Sequence, residues 1–310
     1  MFTHEPVLLA ECLRILNPES GESVLDVTLG LGGHARAFID RIGPTGRFIG
    51  LDADSDNLRL AQESLKDIPV ASTFIHANFL SLPDCLPEDR RTFDVIIADI
   101  GLSSVHVDDP SRGFTFRKDA PLDLRFDRTT GMTGAALLAS LDPSTLLSAF
   151  REYGELPRAR SLVDAIVRVR GDHPILRTGE LVDVVRGVFG YKTPDVLPQI
   201  FQALRILVNQ ELSALRHLLA IGPSLLKPGG RLGIISFHSL EDRLVKHAFR
   251  GLVTETKDVV TGAPIAKTPF TLLTPKAVRP SAQEVKRNSR SRSACLRALS
   301  LSPLYTSRRT

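Results

Sequence analysis

Short apolar runs rich in β-branched residues alternate with stretches of helical spacing through the first hundred residues. "SVLDVTL" (23–29), "RFIGLDA" (47–53), "STFIHANF" (72–79) and "FDVIIADIG" (93–101) have the length and composition of buried parallel strands. "HARAFIDRIG", closing at Gly43, and "SDNLRLAQESLKD", following Asp54, separate them as helices. This order predicts an α/β fold, a doubly wound Rossmann-like sheet with ligands at the carboxyl ends of its strands.

The rhythm changes after Gly101. "DPSTLLSAFREYG" has Asp142 as N-cap, Pro143 in the first turn and Gly154 as terminator. "RARSLVDAIVRVRG" ends at Gly171, and "TGELVDVVRGVFG" runs from a Thr178 cap to Gly190. These helices predict an inserted all-helical substrate domain over 109–200, between two parts of the sheet domain, 1–108 and 201–310. In the second part Phe201, Leu204, Val208, Leu212, Leu215 and Leu219 fall at the spacing of a single helix covering the sheet. "KPGG" then reads as a turn, "RLGIISFH" (231–238) as a fifth strand, and "SLEDRLVKHAF" as a helix capped by Ser239.

Within this frame the first strand leads into Gly30-Leu31-Gly32-Gly33-His34-Ala35, which fits G-x-G-x-x-A. The glycines supply a tight turn and close backbone approach to a nucleoside ligand, so an NAD-dependent oxidoreductase and an S-adenosylmethionine enzyme both fit. Asp52 closes the second strand, 22 positions after Gly30, where a carboxylate hydrogen-bonds the two ribose hydroxyls of an adenosine. Its plainer role is to cap the next helix, for which Asp54 serves at least as well. Phe79 ends the third strand, either beside an adenine or in the core. Asp99 lies at the lip of the fourth, where a dehydrogenase has little use for a carboxylate and a methyltransferase has a cationic sulfonium and an amine to attend to.

Composition bounds the class. The chain has 310 residues, 43% hydrophobic and 24% charged, with no apolar run near the ~18 residues that suggest a membrane span. "MFTHEPVLL" lacks the basic and apolar regions of a signal peptide, and Cys12, Cys85 and Cys295 are odd in number and far apart. The expectation is a cytoplasmic protein without a disulfide framework or a metal site. The net charge of +4 is unevenly placed: from Lys276 onward nine basic residues face one acid, Glu284, so this segment carries +8 and the preceding 275 residues −4. Such a block suits a phosphate surface, or a solvated tail. "SACLRAL" inside it reads as a short strand.

Longer blocks carry a family resemblance. "HEPVLL", "DVTLGLGGHA", "DIGLSS…DDPSRGFTFRKDAPLDLRFD", "FQALRILVNQEL", "PGGRLGIISFHSLEDRLVK" and "RPSAQEVKRNSRSRSACLR" resemble, in order, the signature blocks of the RsmH (MraW) family of bacterial 16S ribosomal RNA cytosine-N4 methyltransferases. The resemblance implies S-adenosylmethionine as methyl donor and a cytidine of the decoding centre (P site) of the 30S subunit as target. It also implies cofactor contacts at Gly32, Gly33, His34, Asp52, Phe79 and Asp99, and at His106, where the family has Gln. Asp99 is then the candidate catalytic residue, orienting N4–H or accepting its proton. Asp123, Arg125 and Asp127 in "PLDLRFD" would bind the flipped cytosine or a phosphate, or form an ion-paired loop. His238 in "SFHSLED" is a substrate contact or a structural cap. Two insert segments depart from the family pattern: "YGELPRARSLV" replaces "YGEERFAKRIA", and "TPDVLPQIFQALR" replaces "KRIHPATRTFQALR". A non-catalytic RNA-binding or assembly protein with this fold remains an alternative, and the oligomeric state, monomer or dimer, is open.

Overall fold

The computed structural model describes residues 6–254, 256–257, 264–266 and 268–305. Thus His4 and Glu5 of "HEPVLL" and the terminal Arg308 and Arg309 lie outside the described residues. The chain divides into a sheet unit, Met1–Gly101 with Ser213–Thr310, and a helical unit, Leu102–Leu212.

In the sheet unit, α1 (Leu9–Leu16) precedes β1 (Ser23–Asp26), α2 (Gly33–Ile42), β2 (Arg47–Asp52), α3 (Ser55–Leu65), β3 (Ala71–His76) and β4 (Phe93–Asp99). The helical unit holds α4 (Ser104–Asp108), α5 (Gly134–Ser140), α6 (Pro143–Glu152), α7 (Ala159–Asp172), α8 (Thr178–Phe189) and α9 (Thr193–Asn209). After α10 (Glu211–Ile221) come β5 (Leu226–Ser236) and α11 (Ser239–Val253). The strands β6 (Thr256–Lys257) and β7 (Pro264–Ala266) form a two-stranded antiparallel ribbon. The chain continues with β8 (Phe270–Leu272), α12 (Ala282–Arg287) and β9 (Cys295–Leu301).

The main sheet has seven strands in the order β3-β2-β1-β4-β5-β9-β8. β1 to β5 pair in parallel, and β9 returns antiparallel beside β5. Strand order reverses between β1 and β4, and a crevice outside their carboxyl ends is where such sheets bind ligands. Period-two alternation divides the core between the two faces. Leu25, Ile49, Ile96 and Ile234 pack in one cluster with Leu215 and Leu219 of α10 and Phe249 of α11. Val24, Phe48, Val95 and Ile235 pack in another with Leu16 of α1, Phe38 of α2 and Leu58 of α3. The helical unit has its own core, from Phe114 through Leu146, Phe150, Leu162, Leu181 and Ile200 to Leu204.

Several local readings are corrected. The apolar spacing from Phe201 to Leu219 does not belong to one helix: Gln210, at φ 52°, ends α9, and α10 begins at Glu211. Phe201 and Leu204 therefore serve the helical core, and Leu215 and Leu219 the sheet core. A period of 3.6 survives a single left-handed residue, so the pattern alone could not reveal the break. The helical unit is correspondingly wider than 109–200, because α9 runs through to Asn209. Thr178 is the first residue of α8 and Arg177 its N-cap, and His238, not Ser239, caps α11. "KPGG" is absorbed into β5, where the register with β4 shifts between Phe93 and Val95. The basic segment packs on the sheet unit through β9, and Arg297 there makes a two-pronged ion pair with Asp242 of α11 at 2.7 and 3.0 Å.

Candidate active site at the strand ends

The glycine turn links β1 to α2. Gly32 is the N-cap of α2 at φ 81°, and a Cβ on Gly33 would come within 2.6 Å of Pro6 Cγ, so both positions are closed to larger residues. No side chain caps α2 and no acid lies in its first turn, which leaves amide donors and the positive helix end for a ligand. Asp52 ends β2 beside this turn. Its Oδ2 accepts from Gly30 N–H at 2.7 Å and its Oδ1 from Asp54 N–H at 2.8 Å. The cap of α3 is Asp54, whose side chain accepts from Asp56 N–H, so Asp52 is released from that duty. Burial raises the Asp52 carboxyl to about 6 against the two backbone donors that lower it.

Asp99 ends β4. Its backbone N–H donates to Thr28 Oγ1 at 2.6 Å, which ties β4 to the turn after β1. Its Oδ2 lies 3.6 Å from His34 Nδ1, and its Oδ1 is buried with no hydrogen-bond partner among the described residues. On the other side of the ring, His34 Nε2 is 3.0 Å from Val7 O. A carbonyl can only accept, so Nε2 carries a proton, and attraction between Nδ1 and Asp99 requires one further proton on either partner. Burial, with the charges of Asp26 and Glu241, pushes the Asp99 carboxyl up to about 8.

Asp26 was not singled out from the sequence. It ends β1, is 2% exposed, accepts from Thr28 N–H at 3.0 Å, and is raised to about 7, chiefly by burial. The available signal was a lone acid inside the apolar run "SVLDVTL". Three carboxyls therefore end β1, β2 and β4, all held above the ordinary carboxylate range. Phe79, in a short 3-10 turn after β3, is half-buried against the sheet core. His238 Nδ1 accepts from Glu241 N–H at 3.4 Å, while Glu241 Oε2 accepts from Phe237 and His238 N–H at 2.8 and 3.3 Å. This reciprocal box makes His238 a cap in the structure.

His106, Asp123, Arg125 and Asp127 belong to the helical unit. His106 caps α4 with Ser103 and completes a three-ring cluster with Phe114 and Phe126, whose centroids are 5.1 and 5.0 Å from it and 5.7 Å from each other. Asp123 binds Arg125 through both oxygens, at 2.7 and 3.1 Å. Asp127 accepts from the backbone and hydroxyl of Thr129 and from Thr130 Oγ1. Two residues missed in the sequence hold this loop. The buried Arg112 donates to Arg125 O and Phe126 O at 3.0 and 2.9 Å, and Asn209 accepts from Phe126 N–H while donating to Leu124 O, both at 2.7 Å. Among the described residues no cluster of His, Cys, Asp or Glu could hold a metal ion, and no helix is long and apolar enough to cross a membrane.

The MraW methylase family model matches residues 1–302. The chain belongs to the MraW methylase family. Relatives named ribosomal RNA small subunit methyltransferase H are similar over nearly their whole length. The one from Syntrophotalea carbinolica is 42% identical over 308 residues, 96% of this chain and 98% of the relative. The one from Thermomicrobium roseum is 42% identical over 303 residues, 96% and 93% of the two chains. The one from Bacteroides thetaiotaomicron is 40% identical over 296 residues, 95% and 96%. A methylase needs a methyl donor, and the open end of α2, the glycine turn and the carboxyl at the end of β2 suit the adenosine of S-adenosylmethionine.

Proposed function

We propose that this methylase transfers a methyl group from S-adenosylmethionine to the exocyclic N4 amine of a cytidine in the decoding centre of 16S ribosomal RNA, as part of the 30S subunit. Family membership supports the reaction class and the relatives' names support the RNA. The observation that carries the catalytic assignment is Asp99, a strand-end carboxyl with one buried oxygen that meets no partner among the described residues and the other against His34.

Bound S-adenosylmethionine supplies an electrophilic methyl on a cationic sulfur. Gly32, Gly33, His34, Asp52 and Phe79, all in the sheet unit, would hold it. The cytosine amine is a poor nucleophile, because its lone pair is delocalised into the ring. Holding it in line with the methyl can remove up to ~7–11 kcal/mol of the barrier. Asp99 orients N4–H and takes the proton released as the new N–C bond forms. Burial holds the Asp99 proton above the ordinary carboxylate range, and a cation bound nearby would favour the ionised form that accepts the proton. His238 in the sheet unit, and Asp123, Arg125 and Asp127 in the helical unit, are separate candidates for substrate contacts.

The test is incubation of the purified protein with S-adenosylmethionine and unmodified 30S subunits, followed by mass spectrometry of the digested 16S RNA. A single N4-methylated cytidine is expected. Methylation elsewhere, or none, would refute the assignment.

A further inference from the structure

Tyr191 is 88% exposed, on a short 3-10 turn, Gly190–Lys192, that joins α8 to α9. Its ring contributes little to the core, yet the turn that presents it is well held. Gly190, at φ 56°, ends α8, and Thr193 Oγ1 donates to Gly190 O at 2.6 Å. Arg158, from the turn before α7, donates from Nη1 to Val188 O at 2.8 Å, and its guanidinium lies 5.7 Å from the centre of the Phe189 ring. The Lys192 ammonium lies 5.8 Å from the centre of the Tyr191 ring. Arg158 belongs to the first of the two segments that depart from the family pattern, and Lys192 borders the second. The fold brings these segments together at one tip.

We infer that this tip is an RNA contact in which an unpaired base of the substrate stacks on Tyr191 while Lys192 and Arg158 meet the neighbouring phosphates. An isolated exposed apolar side chain needs no explanation by itself. Here, however, the ring stands on a braced turn with a cation at its face and a second cation beside the adjoining ring. That is the composition of a sequence-tolerant stacking platform: a π face for any base, and positive charge for the backbone. The inference rests on the proposed RNA substrate and adds the residue that would grip it.

The chain contains no tryptophan, so Tyr191→Trp places a single fluorescent reporter at the tip. Titration of this full-length variant with an unstructured single-stranded RNA oligonucleotide should quench its emission in parallel with binding followed by anisotropy. Tyr191→Ala should weaken RNA binding about 5- to 150-fold, with Tyr191→Phe close to the parent. Calorimetric affinity for S-adenosylmethionine should be the same in all three variants. RNA binding without quenching, with Tyr191→Ala as tight as the parent, would overturn the inference. So would a smaller sedimenting species for Tyr191→Ala, which would mark the tip as a contact between copies of the chain. A parent protein that binds no RNA would overturn the inference and the RNA substrate together. Quenching by RNA in a protein that transfers no methyl to 30S subunits would uphold stacking and remove only the reaction.

Discussion

The carboxyl ends of β1, β2 and β4 and the loop from Asp123 to Asp127 both concentrate charged side chains, and they dispose of them in opposite ways. In the loop each charge meets a partner inside the same unit: Asp123 with Arg125, Asp127 with Thr129 and Thr130, and the backbone with Arg112 and Asn209. At the strand ends three carboxyls are held above the ordinary range, and one oxygen of Asp99 has no partner among the described residues. A buried polar group left unpaired is a standing cost, kept where a ligand or a reaction uses it. The difference separates a region whose polar groups bond to one another from one whose carboxyls are buried at strand ends and held above their ordinary range.

The largest expected effect would break this comparison most directly. Asp99→Asn should lower methyl transfer to 30S subunits by about 10²–10⁴-fold while calorimetry finds S-adenosylmethionine still bound. A variant that loses only cofactor affinity would make Asp99 a binding residue instead. Next, Arg112→Ala should cost about 3 kcal/mol in urea unfolding, since it removes a buried guanidinium and frees two carbonyls. A loss under about 1 kcal/mol would show that the loop does not depend on it. A double-mutant cycle of Asp123→Ala and Arg125→Ala should give a coupling of about 1–2 kcal/mol in unfolding. Additive effects would mean that the pair does not stabilise the loop.

The pH dependence sharpens the other side. Asp26, Asp52 and Asp99 hold their protons more tightly in the fold than in the unfolded chain, where carboxyls titrate near ~4. Their contribution is complete below that pH and is lost as pH rises through about 7, 6 and 8 respectively. Asp99→Asn cannot ionise, so its melting temperature should gain on the parent by about 4–8 °C between pH 6 and pH 9. An unchanged gap would mean that Asp99 is already ionised in the free protein. The smallest effect is expected at Asp127→Ala, below about 1 kcal/mol in urea unfolding, because its bonds to Thr129 and Thr130 are exposed to solvent.

Much of the sheet was readable from local pattern, because a buried strand must be apolar and a turn that approaches a ligand must be glycine. The positions of Gly32, Gly33, Asp52 and Asp99 followed from that. The locks were less readable. Arg112, Asn209 and Glu241 act on partners chosen by the path of the chain, and Asn209 reaches Leu124 and Phe126 across more than eighty positions. Nothing in the composition around Asn209 marks such a reach. His238 shows the same limit: its place at a strand end was legible, but its reciprocal bonds with Glu241 depend on the start of α11.

By itself, then, the sequence determined the alternation of strands and helices, the glycine turn, the acids at two strand ends and the family. These are properties of residues and their near neighbours, governed by steric limits on the backbone and by the periods of strand and helix. Only the tertiary structure decided where the apolar stripe from Phe201 to Leu219 breaks, that Asp26 joins the site, and that Arg158 braces the turn carrying Tyr191. It also decided which charges are neutralised by partners and which are left waiting, because burial and pairing depend on groups that are distant along the chain.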